Sequence, residues 1–148
     1  MSDGRTAPAA STSTSTSTST RIARRDDVVS VVVADDDDQV RDALADVIDE
    51  HGGLRLIGTA ADGEHAAALC ATTPPDLAIV DVMMPHGGTE AVRSILAASP
   101  TTTVVVYTAR SDRRTHRQLL DAGASLVIVK GSDVDIVDAL VEVADRRT

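Results

Sequence analysis

From residue 28 onward, apolar positions fall into two patterns that take turns. "VVSVVVA" (28–34) is an unbroken β-branched run, the pattern of a strand buried on both faces. Val40, Ala43, Leu44, Val47 and Ile48 then recur at i, i+3, i+4, i+7 and i+8, which makes one helical stripe, and Gly52-Gly53 after His51 stops it. The alternation continues with strands predicted at 54–60, 76–82, 102–109 and 125–130. Between and after them come helices at 62–73, 89–99, 111–123 and 132–147. Asp62 and Ser111 read as N-caps, and Ser132 with Asp135 has the spacing of a capping box. Pro74-Pro75, Pro100 and Gly123 mark helix ends.

Five strand-then-helix units in strict succession imply an α/β fold. The expected form is a doubly wound, five-stranded parallel sheet, order 2-1-3-4-5, with helices on both faces, the flavodoxin-like arrangement. In such sheets ligands bind at the carboxyl ends of strands where the order reverses, here between strands 1 and 3. Residues 1–26 differ. They contain the Ser-Thr repeat 11–20 and almost no large apolar group, so a disordered tail is expected, with the folded domain over 27–148.

Composition sharpens this in three ways. The chain of 148 residues has no Phe or Trp and one Tyr, Tyr107, so the core must be aliphatic. A net charge of −9 argues against direct nucleic-acid binding and suits a protein that handles a cation. Cys70 is the sole cysteine, which excludes an intramolecular disulfide and makes a reducing compartment the default. No segment has the length of a membrane span and the N-terminus lacks a signal-peptide core, so a cytoplasmic location is expected.

Chemistry-bearing residues gather at the predicted carboxyl ends. Strand 1 runs into Asp35-Asp36-Asp37-Asp38, strand 3 ends at Asp81, strand 4 at Thr108 and strand 5 at Lys130. Acids converging from different strands suit a hard divalent cation, and Mg²⁺ favours one or two carboxylates supplemented by water and phosphate oxygens. A lysine and a hydroxyl are natural partners for the other oxygens of a phosphoryl group.

The stretches "VVVADD" (31–36), "AIVDVMMP" (78–85), "VVYTA" (105–109) and "GASLVIVK" (123–130) resemble the receiver domain of two-component response regulators, the CheY-like family. The resemblance spans about residues 28–146. It implies that Asp81 accepts a phosphoryl group from a sensor histidine kinase or phosphotransfer protein, and that Asp35, Asp36, Asp81 and the backbone carbonyl of Met83 hold Mg²⁺. It further implies that Thr108 and Lys130 bind phosphate oxygens, and that the face of the fourth helix, fifth strand and fifth helix is a candidate homodimer or output surface. Asp36 is expected as the direct metal ligand and Asp35 as one acting partly through water. Asp37 and Asp38 are left to cap the first helix.

The pattern departs from the family in places. Val127 stands where relatives carry a switching Tyr or Phe, Gly131 follows Lys130 in place of proline, and the loop "MMPHGGTEAV" resembles a short, Gly-rich variant found with helix-turn-helix output domains. No output domain follows Thr148, which fits a stand-alone receiver or part of a longer regulator. Two alternatives share some residues: a haloacid-dehalogenase-like phosphatase using Asp36 and Asp38, and a phosphorylation-independent pseudo-receiver. His51, His65, His86 and His116 lie on separate elements without ligand spacing and are expected at the surface. Arg110, Arg113, Arg114 and Arg117 are read as a solvated helical face.

Overall fold

The structure, a computed structural model, describes residues 28–146, so the expected tail lies outside the described residues. Ten elements alternate: β1 (Val29–Ala34), α1 (Asp38–Glu50), β2 (Leu54–Ala60), α2 (Gly63–Thr72), β3 (Leu77–Val80), α3 (Gly88–Ala98), β4 (Thr103–Thr108), α4 (Arg113–Ala122), β5 (Leu126–Val129) and α5 (Ile136–Arg146). The five strands form one parallel sheet in the order β2-β1-β3-β4-β5. This is the doubly wound topology expected from the alternating pattern.

The valine runs serve both faces of the sheet, because successive side chains point opposite ways. Val32, Ala34, Ala78, Val80, Val104 and Val106 pack with Ala66, Cys70, Val92, Ile95 and Leu119 of α2, α3 and α4. Their neighbours Val31, Val33, Leu77, Ile79, Val105 and Ile128 pack with Leu44, Ile48, Leu140 and Val143 of α1 and α5. Burying each of the Val, Leu and Ile side chains is worth roughly 1.5–3 kcal/mol, so the central strands are held from both sides. Two aliphatic layers thus replace the missing aromatic core.

Three local expectations are corrected. β1 begins at Val29, not Val28. The cap of α4 is Asp112, whose carboxylate accepts from the Thr115 amide, and not Ser111. The last helix starts at Ile136: Asp135 accepts from the amides of Val137 and Asp138, so the capping box with Ser132 does not form. Gly131, at φ +82°, turns the chain after β5, and the Ser132 amide closes that turn on the Val129 carbonyl. The cap role therefore passes to the aspartate adjacent to the helical stripe.

Candidate functional site

β1 and β3 are neighbours in the sheet, with Ala34 paired to Val80, so the residues that follow them leave the sheet side by side. The Asp81 amide donates to the Ala34 carbonyl at 3.0 Å, fixing the start of the β3–α3 loop against the end of β1. Asp35 and Asp81 are both buried, at 2% and 4% exposure, whereas Asp36 is exposed. One carboxylate oxygen from each of Asp35, Asp36 and Asp81 lies within 4.8 Å of the others.

Lys130 closes this pocket from β5. Its Nζ donates to Asp35 Oδ2 at 2.8 Å and to Asp81 Oδ2 at 3.2 Å. Burial alone would lower the lysine pKa. The bond to Asp35 and the charges of Asp81 and Asp35 outweigh it and leave the ammonium above its ordinary range. Three carboxylates against one ammonium leave two negative charges in a largely buried place, the electrostatic demand that a divalent cation meets. The donor set is all oxygen, which fits Mg²⁺.

The remaining oxygens are held by the chain. Asp35 Oδ1 accepts from the Asp37 amide at 2.9 Å, and Asp81 Oδ1 accepts from the Met83 amide at 3.2 Å. Asp37 caps α1 through the amides of Gln39 and Val40, and Asp38 lies in its first turn. The four-aspartate run therefore divides as the sequence suggests, with two residues toward the pocket and two at the helix start. Arg41 was not singled out by the sequence, yet it braces this loop: its Nη1 donates to the Asp35 carbonyl at 2.6 Å and its Nη2 pairs with Asp38. Its i+3 spacing from Asp38 was the available signal.

Thr108 ends β4, fully buried, and its hydroxyl accepts from the Arg110 amide at 3.1 Å. Its carbonyl accepts from the Lys130 amide at 2.7 Å, so the two residues are tied backbone to backbone. Met83 is 58% exposed beside Asp81. The β3–α3 loop passes through His86, at φ 55°, and meets α2 at Gly63, whose amide donates to the Pro85 carbonyl. A Cβ at Gly63 would stand 1.8 Å from the His86 carbonyl oxygen, so only glycine fits there.

Other predicted features sort away from the pocket. His65 and His86 are exposed and sit near Asp62 and Glu90, while His51 and His116 are half-buried; His51 Nδ1 accepts from the Gly53 amide and His116 contacts the Arg110 carbonyl. The arginines of α4 are exposed, with Arg110 paired to Asp112. Val127 packs on the α2–α4 side of the sheet and Tyr107 on the α1–α5 side.

The fold, the switch-point location and the acid–lysine cluster define a doubly wound domain with an oxygen-rich, cation-seeking pocket at the carboxyl end of its sheet. Residues 31–142 match the response regulator receiver domain, and the chain belongs to that family. It is 34% identical over 109 residues to the response regulator GacA of Pseudomonas aeruginosa, covering 73% of this chain and 51% of that one. It is 33% identical over 117 residues to the transcriptional regulatory protein PdtaR of Mycobacterium tuberculosis, covering 79% and 57%. The chain thus spans about half the length of the curated relatives it matches. Among solved structures, the receiver domain of the putative response regulator NarL from M. tuberculosis superposes with a TM-score of 0.74 at 28% identity, covering 79% of this chain and 96% of that one. The response regulator domain of Thermotoga maritima CheB gives 0.71 at 25%, covering 80% and 95%. The dehalogenase-like alternative falls with this assignment, since Asp38 lies on α1, paired to Arg41. No described helix is long and apolar enough to cross a membrane.

Proposed function

We propose that Asp81 is the phosphoacceptor of this receiver domain and takes its phosphoryl group from a phosphohistidine of a sensor kinase or phosphotransfer protein. The observation that carries this reading is the Lys130 ammonium seated between Asp35 and Asp81. It marks Asp81 as a buried carboxylate with a cation already in place for the phosphoryl oxygens.

In the reaction, one Asp81 carboxylate oxygen attacks phosphorus, the P–N bond of the donor breaks, and the donor imidazole leaves with the electron pair and takes up a proton. The product is an acyl phosphate on Asp81. Asp35, Asp36, Asp81 and the Met83 carbonyl would hold Mg²⁺, which neutralises charge on the transferred group. Asp36 suits a direct ligand because its carboxylate is exposed at the mouth of the cluster. Lys130 holds a phosphoryl oxygen, and the Thr108 hydroxyl turns toward another when it releases the Arg110 amide.

Acetyl phosphate with Mg²⁺ should add one phosphoryl group to the chain, read by intact mass. Asp81→Asn should abolish the gain, and Asp36→Asn should weaken it by raising the Mg²⁺ requirement. A gain that survives Asp81→Asn refutes the assignment, and no gain in the unaltered chain favours the pseudo-receiver.

A further inference from the structure

Tyr107 is the only aromatic residue in the chain, and it immediately precedes Thr108 on β4. Its ring faces the α1–α5 layer. The Lys130 Nζ lies 5.7 Å from the ring centroid while also bonding Asp35 and Asp81. One ammonium therefore has three partners, two in the acidic pocket and one outside it. The same ring lines a cleft of about 390 Å³ between α1 and α5, together with Val40, Leu44, Val47, Ile136 and Lys130. Lys130 thus borders both the acidic pocket and the cleft, with the ring on the cleft side. The ring is half-buried, packed against the α1–α5 core and bordering the open cleft.

The balance among the three partners depends on charge. A ring face attracts an ammonium more weakly than an anionic phosphoryl oxygen at hydrogen-bond distance does. A phosphoryl group on Asp81 adds negative charge on the pocket side alone. We infer that Tyr107 transmits the state of Asp81: when the phosphoryl group arrives, Lys130 leaves the ring face, and the ring repacks into the cleft and reshapes the α1–α5 face. This rests on the phosphorylation of Asp81 proposed above. Position 127, on the opposite side of the sheet, carries only a valine and has no part in this route.

The test uses the full 148-residue chain with ¹³C-labelled tyrosine rings and Val and Ile methyls, before and after acetyl phosphate with Mg²⁺, with intact mass read in parallel. A single tyrosine gives one unambiguous ring signal. In the unaltered chain the mass gain should be accompanied by shifts of the ring and of the Val40, Val47 and Ile136 methyls. Tyr107→Leu should gain the phosphoryl group with those methyl shifts lost, and Tyr107→Phe, which keeps the ring, should retain them. A phosphorylated chain with an unmoved ring overturns the inference and leaves the Asp81 assignment standing. So do methyl shifts in Tyr107→Leu equal to those of the unaltered chain. No mass gain overturns the Asp81 assignment and this inference together. Should Tyr107→Leu lose its folded spectrum, the ring signal of the unaltered chain and Tyr107→Phe still decide the matter.

Discussion

Arg41 Nη1 donates to the backbone carbonyl of Asp35 across a distance of 2.6 Å, locking the first turn of α1 to the residue that begins the acidic pocket. The Arg41 side chain is only 20% exposed, and the other arm of its guanidinium pairs with Asp38, whose side chain is 81% exposed. The exposed pair contributes little, whereas the bond to the Asp35 carbonyl is charge-assisted and partly sheltered. Arg41→Met should therefore destabilise the fold by about 1–2 kcal/mol in urea titrations. It should also weaken Mg²⁺ binding, because the β1–α1 loop loses its brace. Unchanged stability and Mg²⁺ affinity in that variant would show the contact to be idle.

The two corrected helix starts make a paired prediction. Asp135→Ala should cost about 1 kcal/mol, since it removes the acceptor for the Val137 and Asp138 amides. Asp112→Ala should also lower the urea midpoint, because Asp112 accepts from both the amide and the hydroxyl of Thr115. Ser111→Ala and Ser132→Ala should each stay within about 0.5 kcal/mol of the parent. The reverse ranking would restore the caps expected from sequence.

The start of α2 should be pH-sensitive within a defined window. The Asp62 pKa is lowered from 3.8, first by the bond from the His65 amide and then by the His65 ring. The His65 pKa is raised from 6.5, first by the bond to the Asp62 carboxylate. A lowered acid contributes stability above its ordinary pKa and loses it as the pH falls; a raised histidine contributes below its ordinary pKa and loses it as the pH rises. Both contributions coexist between pH 3.8 and 6.5. Hydrogen exchange at the His65 and Ala66 amides, corrected for intrinsic rates, should be slowest in that window, with the maximum removed in Asp62→Asn.

Cys70 is fully buried, and burial pushes its thiol pKa up to about 11. It should be silent to a thiol reagent in the native state and titrate as one thiol in denaturant. Native-state reaction at a rate independent of urea would contradict the packing of α2 on the sheet.

Much of this was legible in the chain because β-branched runs and helical stripes alternate without ambiguity. The convergence of Asp35, Asp36, Asp81 and Lys130 followed from strand order alone, since each sits at the carboxyl end of its strand. What stayed hidden depends on side-chain direction across distant segments. Ser111 and Asp112 can both cap a helix, and composition does not decide which of the two neighbours does. Arg41 looks like any surface arginine until the β1–α1 loop brings the Asp35 carbonyl within its reach. The fit of Gly63 against His86 joins the start of α2 to the β3–α3 loop, which share no sequence pattern.

Lys130 reaches back 95 positions to Asp35 and 49 to Asp81. A polypeptide emerging from the ribosome carries both aspartates well before the lysine that pairs with them exists. Until β5 adds to the edge of the sheet, the two buried acids have no ammonium between them and their burial is opposed by mutual repulsion. The charge balance of the acidic pocket is therefore a property of the finished sheet, complete only once β5 has brought Lys130 to Asp35 and Asp81.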